Sequence, residues 1–177
     1  SLDPKIRQDI CDAAIKIGRG VGYRNAGTVE FLYDTDAKTF YFIEVNPRIQ
    51  VEHTVTEEVT GIDLVRSQLL IADGKELASP EIDIQSQQHL TVNGFAIQCR
   101  VTTEDPANNF KPDYGTIIAY RNAGGYGIRI DEGSSYQGVK VSPFFDSMLA
   151  KITAKGRTLK GTSARLLRTL AEFRIRG

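Results

Sequence analysis

The sequence predicts an α+β fold in two consecutive parts, and three of its features lead there. Two β-rich runs, 27–33 and 39–45, follow a helical stripe and are separated by a short polar linker. The second run continues as an alternation over 40–53, with Phe42, Glu44, Asn46, Arg48, Gln50 and Glu52 on one side, equipped for chemistry, and Tyr41, Ile43, Val45, Ile49 and Val51 on the other, expected as a core. From residue 94 onward short strands punctuated by glycine take over, and one amphipathic helix closes the chain.

Asp3-Pro4 marks the first helix start, an acidic N-cap followed by proline at the first helical position. Ile6, Ile10, Ala13, Ala14 and Ile17 recur behind it at helical spacing. Gly18, Gly20 and Gly22 come after that helix, so they act as C-cap and turn; a phosphate loop needs its glycines between a strand and a helix. The linker Asp34-Thr-Asp-Ala-Lys38 turns the two β-rich runs into a hairpin, and a five-residue loop centred on Ala37 sets Glu30 directly opposite Glu44. Helical patterns follow at 55–59 and 63–72, the second with Leu64, Val65, Gln68, Leu69 and Ala72 on one stripe. Gly74, Pro80 and Gln85-Ser-Gln-Gln88 form a polar connector.

Strands are then expected over 95–101, 116–121, 126–130 and 148–153, mostly antiparallel. Gly124-Gly-Tyr-Gly127 is expected as a hairpin turn, with Tyr126 and Arg129 suited to an interface. The final helix, 163–173, carries Leu166, Leu167, Leu170 and Phe173 on one face and is expected to pack over that sheet.

With 177 residues, 41% of them hydrophobic, the chain is long enough to bury a core as one sizeable domain or two small ones. Its 22 basic and 22 acidic residues balance without a basic stripe, which argues against nucleic acid as a partner. No apolar run approaches the ~20 residues of a membrane span, and no signal-peptide pattern opens the sequence. A cytoplasmic location is expected, or the mitochondrial matrix in a eukaryote. Cys11 and Cys99 stand in no ligand-like spacing and are expected as small core residues in a reducing compartment. The sequence opens at a helix cap without methionine and closes at Arg176-Gly177, so it is expected to be part of a longer protein.

Two carboxylates directly across a hairpin repel each other unless a cation lies between them. Glu30, Glu44 and Asn46 offer only oxygen ligands, which suits Mg²⁺ or Mn²⁺ set against nucleotide phosphates. Two solvated glutamates would be the plain alternative, but the adjoining Arg48, Gln50 and Glu52 weigh against it. Arg48 presents a planar fork that matches a carboxylate, bicarbonate or phosphate, and Glu52 is a general-base candidate beside it. Glu52 and His53 also fit a helix N-terminus, where acidic charge is favourable; for His53 that plainer role is preferred. Arg100, inside an apolar strand, either pairs with Glu104 or Asp105 or points into a cleft.

Three segments together resemble a known family. Gly27-Thr-Val-Glu-Phe31, then Phe42-Ile-Glu-Val-Asn-Pro-Arg-Ile-Gln-Val-Glu-His53, then Gln98-Cys-Arg-Val-Thr-Thr-Glu-Asp-Pro106 look like the biotin carboxylase component of biotin-dependent carboxylases, members of the ATP-grasp superfamily. The likeness runs along essentially the whole chain. Asn46-Pro47-Arg48, Thr102-Thr103 and Glu172-Phe-Arg-Ile-Arg-Gly177 look most like the pyruvate-carboxylating branch; acetyl-CoA and propionyl-CoA carboxylase subunits are the runners-up.

The resemblance implies the second half of an ATP-grasp domain over residues 1–92 and a partial biotin carboxylase C-terminal domain over 93–177. It implies that ATP and bicarbonate form carboxyphosphate, whose CO₂ is captured by N1 of biotin carried on a separate carrier domain. By position, Glu30, Glu44 and Asn46 would hold the metal ions on ATP, with Leu32 against adenine. Arg48, Gln50 and the Val51 backbone would hold bicarbonate, Glu52 would deprotonate it, and Arg100 would stabilise the biotin enolate. The family's phosphate lysines, lid and adenine hinge lie in chain N-terminal to these residues, so the sequence is expected to carry half of an active site and to be inactive alone. Expected partners are ATP, bicarbonate, the biotinyl carrier, a carboxyltransferase domain and a second copy met through the C-terminal region. Against this stand two alternatives: an inert structural or dimerisation module, and another ATP-grasp ligase, which Arg100 and the stretch from Arg48 to Glu52 disfavour.

Overall fold

The computed structural model describes residues 2–133 and 135–177. The chain runs through α1 (Pro4–Gly20), β1 (Thr28–Asp34), β2 (Thr39–Asn46), α2 (His53–Thr60) and α3 (Leu64–Ala72). Next come β3 (Phe95–Thr102), β4 (Glu104–Asp105), β5 (Lys111–Pro112), β6 (Gly115–Thr116) and β7 (Ala119–Arg121). It ends with β8 (Ile128–Glu132), β9 (Lys140–Val141), β10 (Met148–Gly156), α4 (Leu159–Glu172) and β11 (Arg174–Arg176). The fold is α+β, with antiparallel pairing in each ladder between these strands. Two compact units form: Ser1–His53 with Ile62–Leu90, and Thr54–Gly61 with Thr91–Gly177.

In the first unit α1 begins as expected, with the Asp3 carboxylate accepting from the Lys5 amide at 2.8 Å and Pro4 in the first turn. The β1–β2 hairpin sets Glu30 opposite Glu44, though not through a five-residue loop. Asp34 pairs with Thr39, so the loop is 35–38, and an irregularity after Glu30 skips Ile43, moving the register by one. Without that bulge Glu30 would face Ile43.

Two further expectations fail in this unit. The alternation does not continue as a strand to residue 53: β2 stops at Asn46, because Pro47 has no amide hydrogen for a ladder. Nor is one side of β2 a core, since Tyr41 is 56% and Ile43 53% exposed. Helix α3 is capped by Asp63, which accepts from the Arg66 amide at 2.8 Å. Its inward line is Leu64, Gln68 and Ile71, spaced at four and three, whereas Val65, Leu69 and Ala72 of the expected stripe are exposed. Ile82 is the one residue of this unit that is buried among the described residues.

The second unit is built on a three-stranded sheet ordered β3-β10-β8. Its two faces differ in chemistry. Ile152 pairs with Cys99 and Ile130, and Ala154 with Ile97 and Ile128, which gives an apolar face. There α4 packs, with Leu166 buried against Ile152 and Ala154 and Phe173 at the edge. The opposite face carries Lys151 between Arg100 and Asp131, and Thr153 between Gln98 and Arg129. Helix α2 lies on that polar face: the Thr54 and Thr153 hydroxyls are 2.8 Å apart, Gln98 donates to Thr54 at 2.5 Å, and Arg129 donates to Glu57 at 2.5 Å.

Helix α4 starts at Leu159 rather than 163, capped by the Thr158 hydroxyl; Gly161 in its first turn gives no apolar signal. Its inward line is Thr162, Leu166, Thr169 and Phe173, while Leu167 and Leu170 are exposed. The expected strand 116–121 is two strands, because the chain changes partner: β6 pairs with β9 and β7 with β11. Between them the Ile117 amide bonds Val139 and the Ile118 amide bonds Arg176. The 124–127 segment is not a hairpin turn, since β7 and β8 belong to different sheets. Both cysteines are free and half-buried; Cys99 packs on the core beneath α4.

Candidate active site

The residues picked out from the sequence fall in both units. In the first, Glu30 on β1 and Glu44 on β2 are register partners, held together by a shared donor. The Asn46 side-chain amide donates to Glu30 at 2.9 Å and to Glu44 at 3.1 Å, and the Gln50 amide donates to the same Glu30 oxygen at 3.2 Å. A single NH₂ group thus stands where two carboxylates oppose each other, the place a cation suits best. The set is two carboxylates and one amide, all able to present oxygen, which fits a hard divalent ion completed by phosphate or water oxygens. Among the described residues there is no cluster of three or more His, Cys, Asp or Glu that could hold a metal alone.

Beyond β2 the chain folds back instead of extending. The Arg48 amide donates to the Asn46 carbonyl at 2.8 Å, and the His53 amide to the Gln50 carbonyl at 3.2 Å. This compaction brings Gln50 back onto Glu30, which an extended strand could not do. Arg48 is exposed and donates to the Ile49 carbonyl at 3.2 Å. Gln50 has a buried carbonyl oxygen, Oε1, that no donor meets. A buried unsatisfied acceptor is costly, so this position suits a ligand that brings a hydrogen-bond donor. Val51 is half-buried and Glu52 exposed in the turn before α2. His53 takes the plain role: its Nδ1 lies 2.6 Å from the Gln50 carbonyl. Leu32 stands on β1 opposite Tyr41, 61% exposed.

In the second unit Arg100 is exposed on the polar face of β3, directly across from Lys151. The sequence marked Arg129 only as suited to an interface and missed its partners. Arg129 grips both oxygens of Asp131, at 2.9 and 2.8 Å, while its third arm holds Glu57. These bonds raise the Arg129 pKa above its ordinary value, the Asp131 bonds contributing most, so it is a permanent cation. Lys151 beside it is pushed below its ordinary value, first by burial; Arg129 and Arg100 act in the same direction, and Asp131 and Glu57 oppose it.

Two family models match the chain: the ATP-binding domain of the carbamoyl-phosphate synthase L chain over residues 1–80, and the biotin carboxylase C-terminal domain over 98–177. With the antiparallel α+β fold, they define its class: the chain belongs to the biotin carboxylase family, of ATP-grasp type. Along its whole length it is similar to pyruvate carboxylases. It is 53% identical to the Staphylococcus aureus pyruvate carboxylase over 176 residues, covering 99% of this chain and 15% of that protein. The human mitochondrial pyruvate carboxylase is 50% identical, again over 99% of this chain and 15% of the relative.

Solved structures agree. A Rhizobium etli pyruvate carboxylase with the allosteric activator acetyl coenzyme A superposes with a TM-score of 0.95 at 51% identity, covering 99% of this chain and 18% of that one. The biotin carboxylase domain dimer of the Hydrogenobacter thermophilus 2-oxoglutarate carboxylase, in complex with MgADP, ADP and bicarbonate, gives 0.91 at 39% identity, covering 99% and 37%. The chain therefore spans about 15% of the length of the curated relatives it matches. No helix among the described residues is long and apolar enough to cross a membrane.

Proposed function

We propose that this chain supplies the metal-, bicarbonate- and biotin-facing residues of the biotin carboxylase of a pyruvate carboxylase, an enzyme that uses ATP and bicarbonate to carboxylate biotin. The observation that carries this is the Glu30–Asn46–Glu44 contact with Gln50 folded back onto it. Glu30, Glu44 and Asn46 hold Mg²⁺ or Mn²⁺, which neutralises phosphate charge when bound. Leu32 packs against adenine. Arg48 and the Val51 backbone hold bicarbonate, whose O–H meets the orphaned Gln50 Oε1. Glu52 then removes that proton, leaving an oxyanion able to attack the γ-phosphorus. Arg100 places its guanidinium against the ureido oxygen of biotin, where negative charge develops in the enolate.

Residues 1–92 form the ATP-grasp portion and 93–177 the biotin carboxylase C-terminal portion. The longer carboxylase provides the phosphate lysines and lid, the biotinyl carrier and the carboxyltransferase domain, and a second copy docks through the C-terminal region. It works in the cytoplasm, or in the mitochondrial matrix of a eukaryote, as the bacterial and mitochondrial relatives suggest. Acetyl-CoA and propionyl-CoA carboxylases are disfavoured by the 49–54% identity to pyruvate carboxylases. The exposed Leu32, Tyr41, Phe42 and Ile43 match a surface that the rest of the longer enzyme covers.

By itself the chain is then a folded, inactive module. Bicarbonate-dependent ATP hydrolysis by the 177-residue chain, with and without free biotin, tests this: no turnover is expected, whereas the longer carboxylase turns over. Biotin-stimulated turnover by the chain alone would contradict it.

A further inference from the structure

The second unit holds a basic pocket of about 580 Å³ that the proposed reaction does not use. It lies where β3 begins and β10 ends, and part of its lining is bare main chain at Gly94, Gly127 and Gly156. The segments approach closely there: a Cβ at Gly94 would stand 2.5 Å from the Gly156 carbonyl oxygen, and the Lys155 amide donates to the Gly127 carbonyl at 2.8 Å. The charged lining is Lys155, Arg157 and Arg165, and no acidic residue lines the pocket. The chain as a whole has 22 basic and 22 acidic residues, so this is a local excess and not a general property of the surface.

Arg165 is set in place from two sides. Its guanidinium donates to the Lys155 carbonyl and lies 5.3 Å from the centroid of the Tyr126 ring. A carbonyl and a ring face supply only partial negative charge, so they orient the guanidinium without neutralising it. Like charges around one concavity repel each other, and the low-dielectric walls focus their field on whatever enters. An anion relieves that repulsion. Arginine forks match the spacing of phosphate oxygens, and a lysine beside them acts as a point charge. The volume is that of a small-molecule site, roughly 300–1,000 Å³, and more than one phosphate group fills.

We propose that this pocket binds a di- or triphosphate, with the Arg157 and Arg165 guanidinium groups and the Lys155 ammonium on its oxygens. The Tyr126 ring is 91% exposed, so beyond the side that Arg165 takes it leaves a face for the base of a nucleoside carrying those phosphates. The ligand is therefore a free phosphate chain or a nucleoside-borne one. The inference stands apart from the roles given to Glu30, Glu44, Asn46 and Arg100, none of which lines the pocket.

The test titrates the 177-residue chain, without metal, with tripolyphosphate and separately with ADP, following backbone amide shifts by NMR. One-site saturation is expected, with the largest shifts at Gly94, Gly127 and Gly156. Arg157→Met changes an exposed side chain and should weaken binding about tenfold, as loss of one charged hydrogen bond would. Lys160→Met, exposed on α4 outside the pocket, should change it by less than about twofold. Tighter binding of ADP, in spite of its fewer charges, identifies a nucleoside as the carrier; tighter binding of tripolyphosphate identifies the free chain. Absence of saturation, shifts centred elsewhere, or equal losses in Arg157→Met and Lys160→Met would overturn the proposal. So would sedimentation in which Arg157→Met separates a dimer while anion binding is unchanged, since the pocket would then hold a carboxylate of a second copy.

Discussion

Thr153→Val keeps the side-chain shape and removes one hydroxyl from a site with no water access. Thr153 and Thr54 are both 0% exposed, their hydroxyls 2.8 Å apart, and Thr54 also accepts from Gln98 at 2.5 Å. Thr153→Val deletes one hydrogen bond and leaves a buried hydroxyl with one partner fewer, a cost of about 1–2 kcal/mol. Thr54→Val deletes both of these bonds, so about 2–3 kcal/mol is expected. In the double variant the shared bond is already gone, and the two losses should fall short of additivity by about 1 kcal/mol.

Since the chain has two compact units, a global unfolding midpoint would mix them. Native-state hydrogen exchange at the amides of β10 reports the second unit by itself. Additive losses, or a Thr153→Val cost below about 0.3 kcal/mol, would show that α2 is not held on the sheet through this pair.

Three other outcomes are expected. Glu44→Ala in the longer carboxylase should weaken use of Mg-ATP most at low Mg²⁺, measured as initial rate against free Mg²⁺; no dependence on added metal would remove Glu44 from the metal site. Tyr120 donates to Glu132 at 3.0 Å, and burial followed by that bond pushes its phenol above the ordinary 10.0. The unfolded chain releases this proton first, so stability of the second unit should fall as pH rises above about 10, and Tyr120→Phe should flatten that slope in urea unfolding followed by a probe placed in the second unit. Gly127→Ala should destabilise the second unit by about 1–3 kcal/mol in the same exchange experiment. Its φ is +72°, and a Cβ would meet the Arg165 guanidinium and lie 2.7 Å from the Lys155 carbonyl oxygen.

Opposed Glu30 and Glu44 were legible because β-branched and aromatic runs flank a short polar linker. The register came out through a different device, a four-residue loop plus a bulge, since no sequence signal distinguishes a bulge at Ile43 from one more loop residue. The fold-back after Asn46 was readable in Pro47, yet the polar alternation beyond it outweighed that signal. What stayed hidden is the polar face of the second unit. Glu57 and Arg129 are 72 residues apart, and Thr54 and Thr153 are 99 apart, so nothing local announces either pair. Once the register is known, the alternation of residues 98 and 100, 129 and 131, and 151 and 153 places all six on one face, and only then do Lys151 and Arg100 become neighbours.

The most direct test of the assigned roles compares Glu52→Gln and Arg100→Ala in the longer carboxylase, measuring bicarbonate-dependent ATP cleavage and biotin carboxylation side by side. Glu52→Gln should slow both by roughly 10²–10⁴, as expected for loss of a general base, while Arg100→Ala should impair carboxylation far more than ATP cleavage. Near-normal rates in Glu52→Gln, or equal losses of both reactions in Arg100→Ala, would contradict the account.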